Sequence, residues 1–400
     1  MHVRSNDEPT SGRGPIDDSE PPAQASTAPR RRLMMTGFRP GPGGINRDML
    51  NLINDCARAG VEVHLLVESG DNPDLEAAES SVQVHVESIG DGRGAPERLR
   101  SFLVRLRPDA VLTIRDRINR VLLDAVSTLE SGPRIAIRVG TTIPAKLHQS
   151  NIVSRWRKRR ELIGTLRRAD VVIGVSEGVC DGVRELLGSN RPEIRCIYTD
   201  LDLDRLRRLA SQEPAHPWCR EDSGKLLISV GRLVKAKDQA VMLKALARLP
   251  GDHRLIIFGE GKQRTRLEAL AKRLGVANRV ALPGRCENPF SCLALADLFV
   301  LSSRFEGFPN ALLEATALGI PSVSTDCPSG PRELLDGGRY GLLVPIGDPG
   351  ALARAILETL AKPPSRVMLA EALRRLQVHR STGQYLDALG LDATMIEETG

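Results

Sequence analysis

From residue 33 onward, short apolar runs alternate with helical patterns, and the alternation lapses and restarts once. Leu33–Phe38, Val61–Val67, Ser81–Ile89, Ala110–Ile114, Arg134–Val139 and Val171–Val175 read as strands. Ile45–Ala59 reads as an amphipathic helix, with Ile45, Met49, Leu52, Ile53 and Cys56 at helical spacing, and Leu99–Leu106 as another. The pattern weakens over Leu209–Gly224, where two prolines and several charges predict a linker. Strands resume at Lys225–Val230, Arg254–Phe258, Val280–Leu282, Leu298–Leu301 and Ser322–Ser324. Helices resume at Ala240–Leu249, Lys262–Leu274, Ala311–Leu318 and Pro349–Leu360. Such alternation implies parallel sheets covered on both faces. The expected fold is α/β, two doubly wound domains in tandem, with ligands at the C-terminal ends of strands and in the cleft between domains.

Composition narrows the class. The 400 residues suffice for two or three domains, and 41% hydrophobic with 26% charged residues is ordinary for a soluble globular chain. No run of about 18 apolar residues predicts a membrane span. The cysteines number seven and form no C-x-x-C pair, so neither a disulfide framework nor a zinc site is implied. The start, Met1-His2-Val3-Arg4, lacks an apolar signal core, so the expected place of work is the cytoplasm. Residues 1–31 are polar and broken by prolines, and predict a disordered tail. The net charge is 56 − 50 = +6. Residues 155–168 carry seven basic and one acidic residue, which is the whole excess. Ile152, Trp156, Ile163 and Leu166 would share one face of that helix, with Trp156, Arg157, Lys158, Arg159 and Arg160 suited to an anionic membrane surface. The alternative is a domain helix with a solvated outer face. Nucleic acid is disfavoured, because the basic residues are not interleaved with aromatics.

Four blocks carry chemistry. Gly37–Gly44 lies between the first strand and helix, where glycines let backbone approach a ligand and the helix start offers amides to phosphate. It is neither a dinucleotide fingerprint nor a P-loop. After the strand ending at Val230, Gly231 opens the chain and Arg232 and Lys237 follow, two cations suited to a diphosphate and to charge on a leaving group. The segment Ser302–Ala315 holds Glu306 ahead of a helix, Pro309 in its first turn, free amides near Asn310–Leu312, and Glu314 pointing into the same cleft. Thr325–Glu333, TDCPSGPRE, reads as a rigid loop facing that cleft, and Gly259-Glu260-Gly261 lines it. The histidines are scattered and imply no metal site.

These blocks, with Val175–Gly178, the Glu306/Glu314 pair and Gly341–Asp348, resemble the retaining glycosyltransferases of family 4, in family order across most of residues 33–390. The resemblance implies the GT-B fold, two facing Rossmann-like domains with an interdomain cleft. It divides the chain into a tail (1–31), an acceptor-side domain (32–208), a linker (209–224), a nucleotide-sugar domain (225–364), a helix returning to the first domain (365–390) and a tail (391–400). It implies that Arg232 and Lys237 hold the donor diphosphate, Glu306 binds the donor sugar and Glu314 the ribose. Gly43, Gly44, Gly231, Gly261, Arg285, Phe308, Asn310, Ala311 and Leu312 would complete the donor site. Many relatives carry a histidine after the strand here written Ile135–Val139, where this chain has Val139 and Gly140. Arg138, Thr141 or His148 is then expected on the acceptor side. The implied activity is transfer of a hexose-type sugar from a UDP- or GDP-sugar to a glycan or lipid-linked acceptor in bacterial surface-polysaccharide or lipopolysaccharide assembly. No cofactor and no metal are implied, and no enzymic nucleophile is assigned. The TDCPSGPRE block resembles that bacterial branch, and the expected location is cytoplasmic or peripheral on the inner face of the membrane. A sugar-nucleotide epimerase, a phosphorylase and a non-catalytic nucleotide-sugar-binding protein are the competing readings.

Overall fold

Strand residues in the chain alternate between two apolar environments, and this decides the architecture. In the computed structural model, which describes residues 31–38, 44–70, 73–87, 94–143, 147, 152–188, 192–221, 224–376 and 381–391, two parallel sheets form. The first holds β1 (Arg32–Thr36), β2 (Glu62–Val67), β3 (Gln83–Val86), β4 (Ala110–Thr113), β5 (Arg134–Val139), β6 (Val171–Gly174) and β7 (Glu193–Cys196), in the order 3-2-1-4-5-6-7. The second holds β8 (Leu226–Val230), β9 (Arg254–Phe258), β10 (Val280–Gly284), β11 (Leu298–Leu301), β12 (Ser322–Thr325) and β13 (Leu342–Val344), in the order 10-9-8-11-12-13. Both sheets reverse direction of growth beside their first strand, which creates a switch point between β1 and β4 and another between β8 and β11. These are two Rossmann-like domains.

Period-two alternation sends Leu33, Met35, Leu65, Leu112 and Ile173 to one face of the first sheet, and Met34, Leu66, Val111, Ile137 and Val172 to the other. Leu227, Leu255, Ile257 and Val300 divide from Ile228, Ile256, Phe258 and Phe299 in the same way. Each such side chain contributes about 1.5–3 kcal/mol by leaving water. Helices α1 (Gly44–Arg58), α2 (Ala95–Leu106), α3 (Asp116–Val126), α4 (Ile152–Leu166), α5 (Glu177–Leu187) and α6 (Leu203–Ala210) belong to the first domain and the passage out of it. The second carries α7 (Gln239–Leu246), α8 (Arg264–Arg273), α9 (Phe290–Leu293), α10 (Asn310–Ala317), α11 (Pro331–Leu334) and α12 (Pro349–Ala361).

Several sequence expectations change. Helices α3 and α5 and strands β7 and β13 go beyond the sequence expectations; Glu193 and Arg195 break the apolar run in the half-exposed edge strand β7, and the apolar β13 is only three residues long. The stretch read as a linker is partly structured. Helix α6 runs into it as far as Ala210, and Pro217–Arg220 forms a short 3-10 turn with the Arg254 guanidinium 5.1 Å over the Trp218 ring. Of the terminal helix read over 365–390, the structure describes α13 (Arg366–Leu376) and α14 (Ser381–Ala388). Helix α13 buries Leu369, Ala372, Leu373 and Leu376 in the core that includes α10, while Tyr385 and Leu386 of α14, with Leu389 and Leu391 after it, enter the core of the first sheet.

The basic helix α4 also differs from its expected face. Leu162 and Leu166 are buried, whereas Trp156 is 60% and Val153 77% exposed. The Arg160 guanidinium stacks 4.7 Å from the Trp156 ring centre. Among the described residues of this helix, the buried apolar side chains lie in its C-terminal half.

At the first sheet's edge, His64 Nδ1 lies 3.0 Å from His85 Nε2, and its Nε2 lies 3.0 Å from Glu62 Oε1. Burial, then the neighbouring His64 and Arg105, hold His85 below the ordinary imidazole range, against a smaller opposing pull from Glu87. A histidine with a depressed folded-state pKa is protonated first in the unfolded chain. Its stabilising contribution is complete above about pH 6.5 and declines as pH falls through the lowered value. The melting temperature is therefore expected to drop between about pH 7 and pH 5, and the drop to be shallower in His85→Gln; parallel slopes for the two proteins would refute the assignment.

Candidate active site

The switch point of the second sheet brings the C-terminal ends of β8 and β11 side by side, through the pairs Leu298↔Leu227 and Phe299↔Ile228. The loops leaving these strands hold the candidate residues. After β8, Gly231 donates to Phe258 O at 2.9 Å and Leu233 to Glu260 O at 2.8 Å, so loop 231–233 lies flat on loop 259–261. A Cβ at Gly259 would stand 2.1 Å from Gly231 O, and one at Gly261 2.3 Å from Leu233 O; both glycines have positive φ. Gly261 thus shapes the bed under Arg232. The Arg232 side chain is exposed and, among the described residues, has no ion pair. Arg285 is also exposed, directly after Gly284, whose carbonyl accepts from Gly259 at 2.7 Å.

Lys237 Nζ reaches Glu306 Oε1 at 2.6 Å. Ser303 Oγ donates to the same oxygen at 2.5 Å. The Glu306 residue is 9% exposed. Its loop is held from below: Ser302 Oγ donates to Lys237 O at 2.8 Å, and Thr325 Oγ1 to Ser303 O at 2.6 Å. Burial, reinforced by the Glu306 charge and opposed by Lys237, pushes the Cys327 thiol up to about 12, so it stays protonated beside the pair. The Lys237–Glu306 pair and the exposed Arg232 put negative and positive charge on the loops that leave two adjacent strands.

Helix α10 begins at Asn310, one residue later than Pro309 in the first turn would give. Pro309 O accepts from Leu312 at 2.9 Å and from Leu313 at 3.1 Å. The amide of Leu312 is therefore spent, a correction to its expected role, and those of Asn310 and Ala311 remain for an anion among the described residues. Phe308 is buried, and its ring packs 5.3 Å from the Tyr198 ring. Asn310 Nδ2 donates to Asp48 Oδ1 of α1 at 2.6 Å. Glu314 lines a pocket with Asp48, Asn51, Asp200, Asp202 and Asn310. Arg232, Lys237 and Glu306 are not among that pocket's walls.

From the first domain, α1 starts at Gly44, and Gly43 lies outside the described residues, as does His148. Gly140–Thr141 approaches the Glu306 loop so closely that a Cβ on Gly307 would stand 2.2 Å from Gly140 O and 3.1 Å from Thr141 Cα. Arg138, in contrast, is enclosed: its Nε donates to Tyr385 OH at 2.9 Å and its Nη2 lies 3.6 Å from Asp48 Oδ2. A guanidinium committed to Tyr385 and Asp48 has little left for an acceptor, which counts against the role expected of Arg138.

Sequence reasoning missed Asp48, Ser176, Tyr198, Ser329, Glu333 and Tyr385, all of which tie the domains together. Ser176, Ser329 and Glu333 lay inside blocks already singled out, and their polarity at strand ends was the available signal. Among the described residues, Glu177, Cys180 and Cys196 offer donor atoms within 4.8 Å of one another. Arg184 pairs with that carboxylate at 3.4 Å, and the Cys180 thiol, then burial, pushes Cys196 far up.

Two family models match the chain: Glycosyltransferase Family 4 over residues 42–205, and Glycosyl transferases group 1 over residues 217–376. The lipopolysaccharide core biosynthesis glycosyltransferase LpsE of Rhizobium meliloti is 29% identical over 346 residues, 85% of this chain and 92% of that protein. An N-acetylgalactosaminyltransferase of Campylobacter jejuni that acts on a diphospho-undecaprenol-linked sugar is 30% identical over 226 residues, 55% of this chain and 60% of that protein. Among solved structures, Anabaena Alr3699/HepE in complex with UDP is similar at TM-score 0.73 and 19% identity, covering 90% of this chain and 99% of that one. WaaG, a glycosyltransferase involved in lipopolysaccharide biosynthesis, is similar at TM-score 0.69 and 18% identity, over 89% of this chain and 99% of that one. One model thus falls on the sheet that carries Arg232, Lys237 and Glu306 and the other on the sheet facing it, and the chain belongs to the family 4 glycosyltransferases, enzymes of the GT-B fold.

Proposed function

We propose that this glycosyltransferase moves a hexose-type sugar, with retention of anomeric configuration, from a UDP- or GDP-sugar to a glycan or lipid-linked acceptor in bacterial surface-polysaccharide or lipopolysaccharide synthesis. The observation that carries the reading is the Lys237–Glu306 pair, formed between the loops that leave the adjacent strands β8 and β11, with Arg232 exposed in the first of these loops and the start of α10 following the second. Breaking a sugar–phosphate bond leaves negative charge on the departing diphosphate. Arg232, Lys237 and the amides of Asn310 and Ala311 would meet that charge without reorganising. Glu306, beside them, would accept hydroxyls of the donor sugar, with Thr141 on the acceptor side. The names of LpsE and of the Campylobacter transferase support the acceptor class, and the UDP in the HepE structure supports a nucleotide donor.

Thermal shift across UDP-, GDP- and ADP-sugars identifies the donor, because a ligand of the native state raises its stability. With that donor, Arg232→Ala and Glu306→Gln are expected to lose about 10²–10³ in kcat while remaining folded. Full activity in both would sink the site assignment. In this reading the protein's cations neutralise the diphosphate and no metal takes part, so excess chelator should leave the rate unchanged. A rate restored only by adding a divalent ion back would overturn that part.

The exposed start of α4 supports peripheral attachment to an anionic membrane surface. Arg155, Trp156, Arg157, Lys158, Arg159 and Arg160 are all exposed, and Val153 lies with them. Replacing Arg157, Lys158, Arg159 and Arg160 by serine is expected to weaken cosedimentation with phosphatidylglycerol vesicles and to spare the donor-induced thermal shift. Unchanged cosedimentation would argue for a merely solvated helix face.

A further inference from the structure

Helix α5 begins with amides that its own domain does not fully serve. Ser176 Oγ accepts from Val179 N at 3.3 Å, which accounts for one. The two before it point at the other domain: Glu177 N donates to Glu333 Oε2 at 2.8 Å, and Gly178 N to Glu333 Oε1 at 2.9 Å. A carboxylate spread over two amides at a helix start is a charge-assisted cap, here supplied across the cleft. Tyr198 OH adds a third donor, 3.2 Å from Glu333 Oε2, and burial, with nearby negative charge, keeps that phenol protonated.

The same contact is continuous with the Glu306 loop. Ser176 Oγ, from the first domain, donates to Gly307 O at 2.8 Å; Ser329 Oγ, from the second, donates to Gly307 O at 2.9 Å and lies 3.1 Å from Glu306 O. A Cβ on Gly178 would stand 2.6 Å from Ser329 Cβ, so the domains meet there without room for a methyl group. Tyr198, which holds Glu333, also packs its ring on Phe308. Among the described residues, the domains thus meet over residues 306–308 both where Gly140–Thr141 approaches Gly307 and through the Ser176, Ser329 and Tyr198 contacts that adjoin Glu333.

We propose that Glu333 is a positioning residue: by capping α5 from the opposite domain it holds the cleft shut and fixes the loop that carries Glu306. The consequence for catalysis rests on the transferase reading above; the closure itself does not. In Glu333→Ala, the α5 amides return to water, the Ser176–Gly307 bond loses its support, and the site spends less time assembled.

The decisive experiment pairs solution X-ray scattering with kinetics on Glu333→Ala, Glu333→Gln and Gly178→Ala. Scattering without substrate should show a larger radius of gyration for Glu333→Ala than for wild type, with Glu333→Gln, which keeps one acceptor oxygen, in between. Transfer kinetics should show kcat lower by roughly 10- to 100-fold, with the donor KM within about twofold. Gly178→Ala keeps the carboxylate but wedges the contact, and should reproduce both effects if Glu333→Ala does not fold. Wild-type scattering and kcat in the folded variants would overturn the proposal. So would a raised donor KM at unchanged kcat, which would make Glu333 a binding group. If wild type transfers no sugar from any donor, the transferase reading fails, and the scattering comparison still decides the clasp.

Discussion

Glu306 is a carboxylate held almost entirely inside the protein at the end of a parallel strand, and it has to be partnered there. Lys237 from the adjacent strand's loop and Ser303 from its own supply the partners on one oxygen. Desolvating both charges costs about what their attraction returns, so the pair adds little net stability. Removing one partner is different, because it strands a buried charge at about 3–5 kcal/mol. The pair therefore acts on geometry more than on stability. It requires β8 and β11 to be neighbours, and it requires loops 231–237 and 302–306 to leave the sheet together. The strand order provides both.

Around that pair, the two domains are joined by polar bridges as well as by apolar packing. One is the Glu333 cap on α5. Another runs from Tyr385 through Arg138 and Asp48 to Asn310, linking α14, β5, α1 and α10. Hydrogen bonds of this kind exchange with water at a net difference of only about 0.5–1.5 kcal/mol each. A cleft closed by them can open without unfolding either core. Helix α14 gives the bridge a fixed end, since Tyr385 sits in the core of the first sheet while the chain before it, α13, packs on the second.

The legible part of the sequence follows from burial. Parallel strands covered on both faces read as continuous apolar runs, so β1, β2, β4, β5, β6, β8, β9 and β11 could be located without a structure. Strand β7 could not, because Glu193 and Arg195 on a sheet edge break the run. Helix α3 has Ile118, Leu122 and Ala125 at helical spacing, but the surrounding charges hid it. In the site, Arg232, Lys237 and Glu306 were visible as charged residues just past strand ends. Glu333, Ser176, Asp48 and Tyr385 were not, since each acts on a residue 131 to 262 positions away or on a buried partner from another element. Arg138 spends its guanidinium, and Phe308 packs its ring, on neighbours that sequence distance conceals, whereas the Leu312 amide is taken by Pro309 O within the same turn.

By itself the sequence determined two tandem α/β domains, the strand ends that carry the charged residues, and the concentration of net charge in α4. These follow from periodicity and from residue type, both local properties. Tertiary structure alone decided which of those residues meet. It joined Lys237 to Glu306, set Glu314 in a pocket wall beside Asp48 of the first domain, enclosed Arg138, and turned a glutamate in an expected rigid loop into a cap for the other domain's helix. The physical reason is that buried charges and unserved amides take whatever partner the packing brings within hydrogen-bonding distance, and packing is set by the whole chain.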